Sequence, residues 1–559
     1  MAVTTPYIPT ATNLQFEIWL NESNSGLHTV LKKASVHYEL NKIPYAKLHF
    51  IAANPEIDQD DELLENTPLA VNDAIEIKIN EDDEFVTLFK GIVFKLEKNV
   101  DPESGFETKI ECKDIAINLT SQQEVIPDET FDQKVTRFLN QYEIDNQVNL
   151  EVGGDETVTK TSNVTPWDYI ISYLDALGQL TTLREGIFAV FDSTSNEKEV
   201  VYIGTNGVNV FEFEGREEEI VSNVQVRVWN PETQSVDVLE SATETTVGSA
   251  ASEGTEVIDM SQSNYSQETI QQMTIARRAK NELAKVKGKV KTFGNTTARY
   301  GQYISFEKVN KEIDDRALLI SAEHHTLENG CWNTEYSFGL ENNNSFAENT
   351  KQSTSSSTAK MGQTNTMQGL QIGVITQLED DPNNEFRIRV RNTSISDAGE
   401  GVWARLASIQ AGNGRGGFFV PEVGDEVILG NINNNPDTPI ILGKLYSSAN
   451  PPPFELTVDN YEQGIVTKEE TKVVLNDEDK SVEISTKKGN KFLLSDAEKG
   501  FILEDENQNK IIMNANGITI ESTKDIILKA GKDIKTEGVK QSIKASTMME
   551  VKGQMIKLN

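Results

Sequence analysis

Apolar and polar residues alternate through residues 14–120. Phe16, Ile18 and Leu20 form one set, Val36, Tyr38 and Leu40 another, and Ile75, Ile77 and Ile79 a third. A period of two puts every second side chain on one face of a strand. The run Leu88 to Phe94 is strand-like but holds Gly91, where a bulge or barrel corner is expected. Together these strands predict a small β-barrel. The period then changes. Phe131, Val135, Phe138, Leu139 and Tyr142 share one face at helical spacing. A second helix is expected at Thr165-Pro166, a cap followed by proline at the first helical position. It carries Trp167, Ile170, Ile171, Leu174 and Leu177 and stops at Gly178. Strands follow at 186–191, 200–203 and 221–229. Residues 231–265 are rich in Ser, Thr, Glu and Gly and are expected to form a long exposed loop. A third helix is predicted from about Gln267 to Lys287, with Met273, Ala276, Ala279, Leu283 and Val286 inward, and strands resume through Leu340.

Residues 341–368 are low in complexity and read as a linker. Residues 369–447 then form a compact unit. Arg387, Arg389 and Arg391 alternate with Ile388 and Val390, while Val402-Trp403 and Phe418-Phe419-Val420 add core material. Five or six short strands in about 80 residues predict an OB-like barrel. Pro451 to Pro453 stiffen the exit.

The last hundred residues carry a repeat. Apolar pairs recur at Val482/Ile484, Leu493/Leu494, Ile502/Leu503, Ile511/Ile512 and Ile518/Ile520. The step is about ten residues at first. From Ile518 it is eight: Ile518/Ile520, Ile526/Leu528, Ile534/Thr536, then, after a one-residue slip, Ile543/Ala545 and Val551/Gly553. Such periodicity marks a repeat architecture. An eight-residue unit offers one strand and one turn, with one or two inward side chains. One chain has too little apolar surface there to close on itself, since a single-chain β-helix needs roughly 20 residues per turn. Three chains closing around an axis would hide the row and remove the exposed strand edges. Ile518, Ile520, Ile526, Leu528, Ile534, Ile543 and Val551 are therefore expected on a trimer axis. The competing reading is an amphipathic antiparallel meander packed on another domain.

Composition narrows the function. The chain has 559 residues, enough for about three or four domains at roughly 150 residues each. Its net charge of −36 argues against binding nucleic acid through phosphates. That charge is uneven: residues 521–559 sum to +3 and the rest to −39. No apolar run approaches the roughly 20 residues that span a bilayer, and Met1 to Thr10 lack the pattern of a secretory signal. Cys112 and Cys331 are too few for a disulfide framework or thiolate cluster. His324 and His325, adjacent in a strand, point to opposite faces and are poorly placed to grip one metal. Gly412 to Gly417 resembles a phosphate loop but lacks the Lys-Ser/Thr that should follow, so a barrel loop is expected. Neither a Gly-x-Ser-x-Gly elbow nor a His-Glu-x-x-His helix occurs. No catalytic residue, metal or cofactor is expected.

Several stretches resemble one family. Phe419-Val420-Pro421-Glu422-Val423-Gly424-Asp425-Glu426-Val427, followed by Pro436-Asp437-Thr438-Pro439-Ile440-Ile441-Leu442-Gly443, is similar to the signature of VgrG-type spikes of contractile injection systems. Asn41 to Ala46, Phe89 to Val93, Trp167 to Ile170 and Trp332 to Leu340 resemble the family in the same order. The resemblance implies a mainly β protein: two hub barrels with flanking helices over 1–340, a linker over 341–368, an OB-like domain over 369–450 and a trimeric β-prism needle over 451–559. It implies a place on the baseplate axis below an inner tube, assembly in the cytoplasm, delivery outside the cell, possible effector cargo and passing contact with a target membrane. Two departures matter. Tyr446 to Phe454 leave no room for the lysozyme domain of some phage relatives, and all five histidines (28, 37, 49, 324, 325) precede the linker, away from any metal-binding tip. A blunt end at Gln554, Met555, Ile556, Lys557, Leu558 and Asn559, capped by a separate PAAR-like protein, is expected. The alternative is a phage tail spike with a receptor-binding or cell-wall-degrading role; a fused toxin would need a further domain after the repeat.

Overall fold

The computed structural model describes residues 15–52, 69–81, 84–101, 105–121, 129–147, 164–194, 198, 200–204, 208, 210–215, 221–241, 254–260, 265–309, 311, 313–314, 316–340, 367, 369–395 and 399–557. The chain divides into two units, Met1–Leu445 and Tyr446–Asn559. The expected linker over 341–368 lies, apart from Met367, outside the described residues.

The first unit is built on one 13-stranded sheet. The N-terminal strands and those of residues 286–338 join where Leu318–Glu328 pairs antiparallel with Leu31–Glu39, setting His324 opposite His37. Strands from both ends of the hub sequence thus share one hydrogen-bonded ladder. Among the described residues the strands that close into a barrel are those of the OB-like segment. The alternating apolar sets do face a common core: Ile18, Val36, Tyr38, Ile75, Ile77 and Ile79 are buried there with Phe50, Phe89, Tyr336 and Phe338. Gly91 does not mark the bulge itself. The register slips on either side of it, between Ile77 and Lys78 opposite the strand and between Val93 and Lys95 along it. At Gly91 the neighbouring strand approaches so closely that an added Cβ would lie 2.3 Å from the Lys113 carbonyl oxygen. Glycine is required there by the backbone approach.

Among the described residues three α-helices pack on the smaller three-stranded sheets of this unit. Phe131–Gln141 opens with a capping box, in which Thr130 Oγ1 accepts from Gln133 N and Gln133 Oε1 accepts from Thr130 N. Pro166–Ala176 has Pro166 in its first turn, and Thr165 Oγ1 accepts from Asp168 N at 3.1 Å. Their apolar faces meet in a second core containing Phe131, Val135, Phe138, Trp167, Ile170 and Leu174. The third helix, Gln267–Leu283, is shorter than its pattern predicts. Val286, expected on its inner face, instead begins the strand Val286–Phe293. A β-branched residue ahead of alternating Lys and apolar residues fits a strand better than a last helical turn.

The expected loop at 231–265 is corrected in part. It contains strands Ser235–Glu240 and Gly254–Met260, which flank Val221–Asn230 on its two edges, one antiparallel and one parallel. Its core is small: Val224, Val226 and Ile258, closed by Ile270 of the third helix. Short strands with one apolar side, lying between Ser- and Gly-rich stretches, are masked in a composition-based reading.

A charged network is buried in the hub. Glu323 is fully buried, and its carboxylate accepts from Arg184 Nη2 at 2.7 Å and from Tyr300 N at 3.2 Å. His325, also fully buried, lies with Nε2 2.6 Å from Glu323 Oε1. Trp332 Nε1 donates to His325 Nδ1, so the ring proton sits on Nε2 and points at Glu323. Burial alone would raise the Glu323 pKa; the Arg184 charge and the hydrogen bond from His325 outweigh it and hold the group down at about 2. His324 faces the other side of the strand and stacks on His37 at 3.8 Å. Among the described residues no group of His, Cys, Asp and Glu is arranged to hold a metal.

The OB-like segment is a closed five-stranded barrel of Leu370–Gln377, Ile388–Asn392, Val402–Leu406, Pro439–Lys444 and Glu426–Asn431. Ile375, Val390, Ala404, Val427, Leu429 and Ile441 fill it. The glycine run at 412–417 forms a tight hairpin pairing Ala411–Gly412 with Arg415–Gly416. Two of the three arginines in the row are paired with acids: Arg387 donates to Asp381 at 2.7 Å, and Arg389 pairs with Glu400 while lying over Trp403. In the Pro421–Val427 signature, Gly424 takes φ 94° and Asp425 Oδ2 accepts from Glu422 N, closing the turn that delivers Val427 to the core.

Candidate trimer interface

The second unit opens with a seven-stranded antiparallel meander: Glu462–Val466, Lys472–Asn476, Ser481–Ser485, Lys491–Ser495, Gly500–Glu504, Lys510–Asn514 and Gly517–Glu521. One turn recurs along it. Thr467, Thr486 and Asp505, nineteen residues apart, each donate their backbone N–H to the carbonyl of the residue four further on. The repeat is therefore two strands long, which is why single apolar pairs recur about every ten residues.

Register sorts those pairs between faces. One row runs Val473, Ile484, Phe492, Leu503, Ile511, Ile520 across successive strands. Beside it runs Leu475, Val482, Leu494, Phe501, Met513, Ile518. Both rows lie on the same face, and every position in them is apolar. The chain leaves this face uncovered: Leu494 is 49 % exposed, Ile518 66 % and Ile520 54 %. The opposite face is mixed. Val474, Leu493 and Ile502 sit beside Glu483, and the margin carries Lys491 3.0 Å from Glu483 and Lys510 2.9 Å from Glu504. Hydrogen bonding to Lys487 holds the Glu470 carboxyl below its usual range. An all-apolar, uncovered sheet face of this extent marks an interface.

The meander ends at Glu521. From 522 to 557 the structure has no strand and no backbone–backbone hydrogen bond. This is the stretch with the eight-residue step. Within one chain it does not form the strand-and-turn unit its pattern predicts. Its apolar residues stand in solvent: Ile526 53 %, Leu528 73 %, Ile534 59 %, Ile543 75 % and Val551 64 % exposed. Extended chain with apolar residues in step and no internal backbone partner leaves both its side chains and its backbone groups open to pairing with other chains.

Of the residues expected on an axis, Ile518 and Ile520 belong to the two-row face, and Ile526, Leu528, Ile534, Ile543 and Val551 to the unpaired segment. Gln554, Met555, Ile556 and Lys557 are exposed beyond them; Leu558 and Asn559 lie outside the described residues. The sequence reading did not single out Val473, Leu475, Phe492 or Phe501 for this face. The signal was present: in an antiparallel meander, same-face positions are mirrored about each turn, so Val473 and Leu475 reflect onto Ile484 and Val482.

A β-rich hub, a closed OB barrel and a C-terminal sheet with an open apolar face define a modular, mainly β protein with an interface-like C-terminal unit. Comparison with known proteins agrees. A model described as the Alg8 N-terminal domain matches residues 10–329, more than half of the chain. The type VI secretion system/phage-baseplate injector OB domain matches 371–446, and the phage baseplate V C-terminal trimerisation domain matches 481–559. The chain belongs to the VgrG and phage-baseplate spike family, and its hub to the Alg8 N-terminal domain family. It is similar to the type VI secretion system spike protein VgrG4b of Pseudomonas aeruginosa, 46 % identical over 54 residues that make up 10 % of this chain and 7 % of that protein. It is 40 % identical to VgrG3 of Vibrio cholerae over 63 residues, 11 % of this chain and 6 % of that one. The aligned stretches thus span under a tenth of these relatives' own length. A chain of the half-lidded Francisella PdpA-VgrG complex has a similar fold, with a TM-score of 0.54 at 11 % identity, covering 91 % of this chain and 87 % of that one. No helix among the described residues is long and apolar enough to cross a membrane.

Proposed function

We propose that three copies of this chain form the spike on the baseplate axis of a contractile injection machine. In this reading residues 1–340 supply two barrel-like hub lobes that share one sheet, 341–368 the linker, 369–450 the OB domain and 451–559 a trimeric β-prism needle. The observation that carries it is the two-row apolar face continuing into a segment without internal backbone pairing. Three chains facing an axis cover the rows and give the 522–557 backbones their partners, with Ile518, Ile520, Ile526, Leu528, Ile534, Ile543 and Val551 inward. The spike acts mechanically, puncturing a target envelope when the machine contracts, and catalyses no reaction. Inner-tube and baseplate proteins hold the hub. Exposed Met555 and Ile556 offer a platform for a PAAR-like tip protein, and effector cargo travels with it. Assembly is cytoplasmic and delivery outward.

Immunogold labelling of injection particles from the producing organism, with antibody against the hub, tests this. Label at one end of the particle, on its axis, is expected. Label along the sheath, or none on intact particles, would contradict it.

A further inference from the structure

Charge is segregated along the C-terminal unit. Residues 446–520 carry eight lysines and fourteen carboxylates, a net −6, whereas 521–557 carry eight lysines and five carboxylates, a net +3. Three of these eight lysines are tied to acids: Lys487 to Glu470, Lys491 to Glu483 and Lys510 to Glu504, all within 3.0 Å. Beyond Glu521 the ion pair among the described residues is Lys552 with Glu550, and that lysine side chain is 80 % exposed. Lys524, Lys532 and Lys540 recur at the eight-residue step and are exposed.

We propose that this basic stretch is a contact surface for the anionic headgroups of a target bilayer. The inference rests on the trimeric-needle reading, in which the +3 of each chain is tripled on one slender body. Spread favours a membrane over a protein cap: of the eight lysines only Lys557 lies within 554–559, so an end-seated cap leaves seven untouched. A bilayer rich in acidic lipid offers a continuous negative surface that attracts each lysine near it. The remaining −39 of each chain is repelled by that surface, so the needle is drawn in basic end first.

The test is flotation of the full-length protein with vesicles of phosphatidylglycerol and phosphatidylethanolamine, against pure phosphatidylcholine. Binding at least about ten-fold stronger to the acidic vesicles is expected at low salt, and its loss at about 0.5 M NaCl. The triple variant Lys524→Gln, Lys532→Gln, Lys540→Gln removes nine charges per trimer and should lower binding about ten-fold. Lys468→Gln, Lys480→Gln, Lys499→Gln, in the meander, should leave it unchanged. Equal binding to both vesicles, or binding by the first variant equal to wild type, overturns the proposal. Sedimentation run alongside separates the two readings: a monomeric chain counts against the needle, and a trimer indifferent to acidic vesicles counts against the lipid contact alone. Should the first variant not assemble, the salt series on wild type decides, and salt-insensitive binding refutes the idea.

Discussion

Leu494→Asp probes the apolar face directly. Leu494 pairs with Val482 on one side and Phe501 on the other, in the middle of the second apolar row, and is 49 % exposed in the single chain. Covering that remaining half is worth about 1 kcal/mol per chain, since full burial of a leucine contributes roughly 1.5–3 kcal/mol. An aspartate loses this and adds an unpaired carboxylate to a dry face, a cost of several kcal/mol each. Three copies around one axis make the penalty on the order of 10 kcal/mol, about seven decades in the assembly constant. Sedimentation velocity should therefore show monomer at micromolar concentration. The hub should melt as in wild type, because its cores share no residue with this sheet. The defect should ease on acidification: a carboxyl against apolar surface titrates above its ordinary value of about 3.9, and the neutral acid is cheaper to bury. Lys488→Asp, at an exposed turn of the same sheet, controls for added negative charge and should leave assembly intact. A Leu494→Asp protein that sediments like wild type would refute the inward assignment of this face.

Ile526→Asp should likewise block closure of the 522–557 segment while the hub folds normally; normal trimers would exclude an inward Ile526. Glu323→Gln leaves Arg184 and His325 without their buried carboxylate and should cost about 3–5 kcal/mol, read as a lowered hub melting temperature with trimerisation unchanged. Because the folded pKa of Glu323 lies below its reference of 4.5, the wild-type contribution is full above that value and lost as pH falls toward about 2, so the gap between wild type and variant should narrow over that window. Gly91→Ala drives a methyl into the Lys113 carbonyl and should destabilise the hub by about 3 kcal/mol in denaturant titration; a neutral substitution would show that the strands can part at no cost.

What could be read from the sequence was local. Thr165-Pro166 announced a helix start and the fold places it there, because a cap and an N1 proline act within one turn. The OB barrel was legible because Ile388/Val390 and Val427/Leu429 alternate cleanly. Pairing was not legible. Nothing in Leu31–Glu39 or Leu318–Glu328 alone says that they are neighbours, so separate barrels were expected where one ladder runs. The small sheet at 221–260 was hidden for the same reason, since Ser235–Glu240 is specified by its partner strand more than by its composition. In the C-terminal unit the apolar pairs were visible, but only register shows that Leu493 and Leu494 face opposite ways and that the ten-residue and eight-residue steps are different structures.

Sedimentation equilibrium of the purified full-length protein tests the central claim most directly. A single species of three times the 62.2 kDa chain, persisting on dilution to nanomolar concentration, is the result predicted by three chains sharing the two-row face and pairing their 522–557 backbones. A well-folded 62.2 kDa monomer in which residues 522–557 are protected from hydrogen exchange would contradict it, because the segment would then have found its backbone partners within one chain.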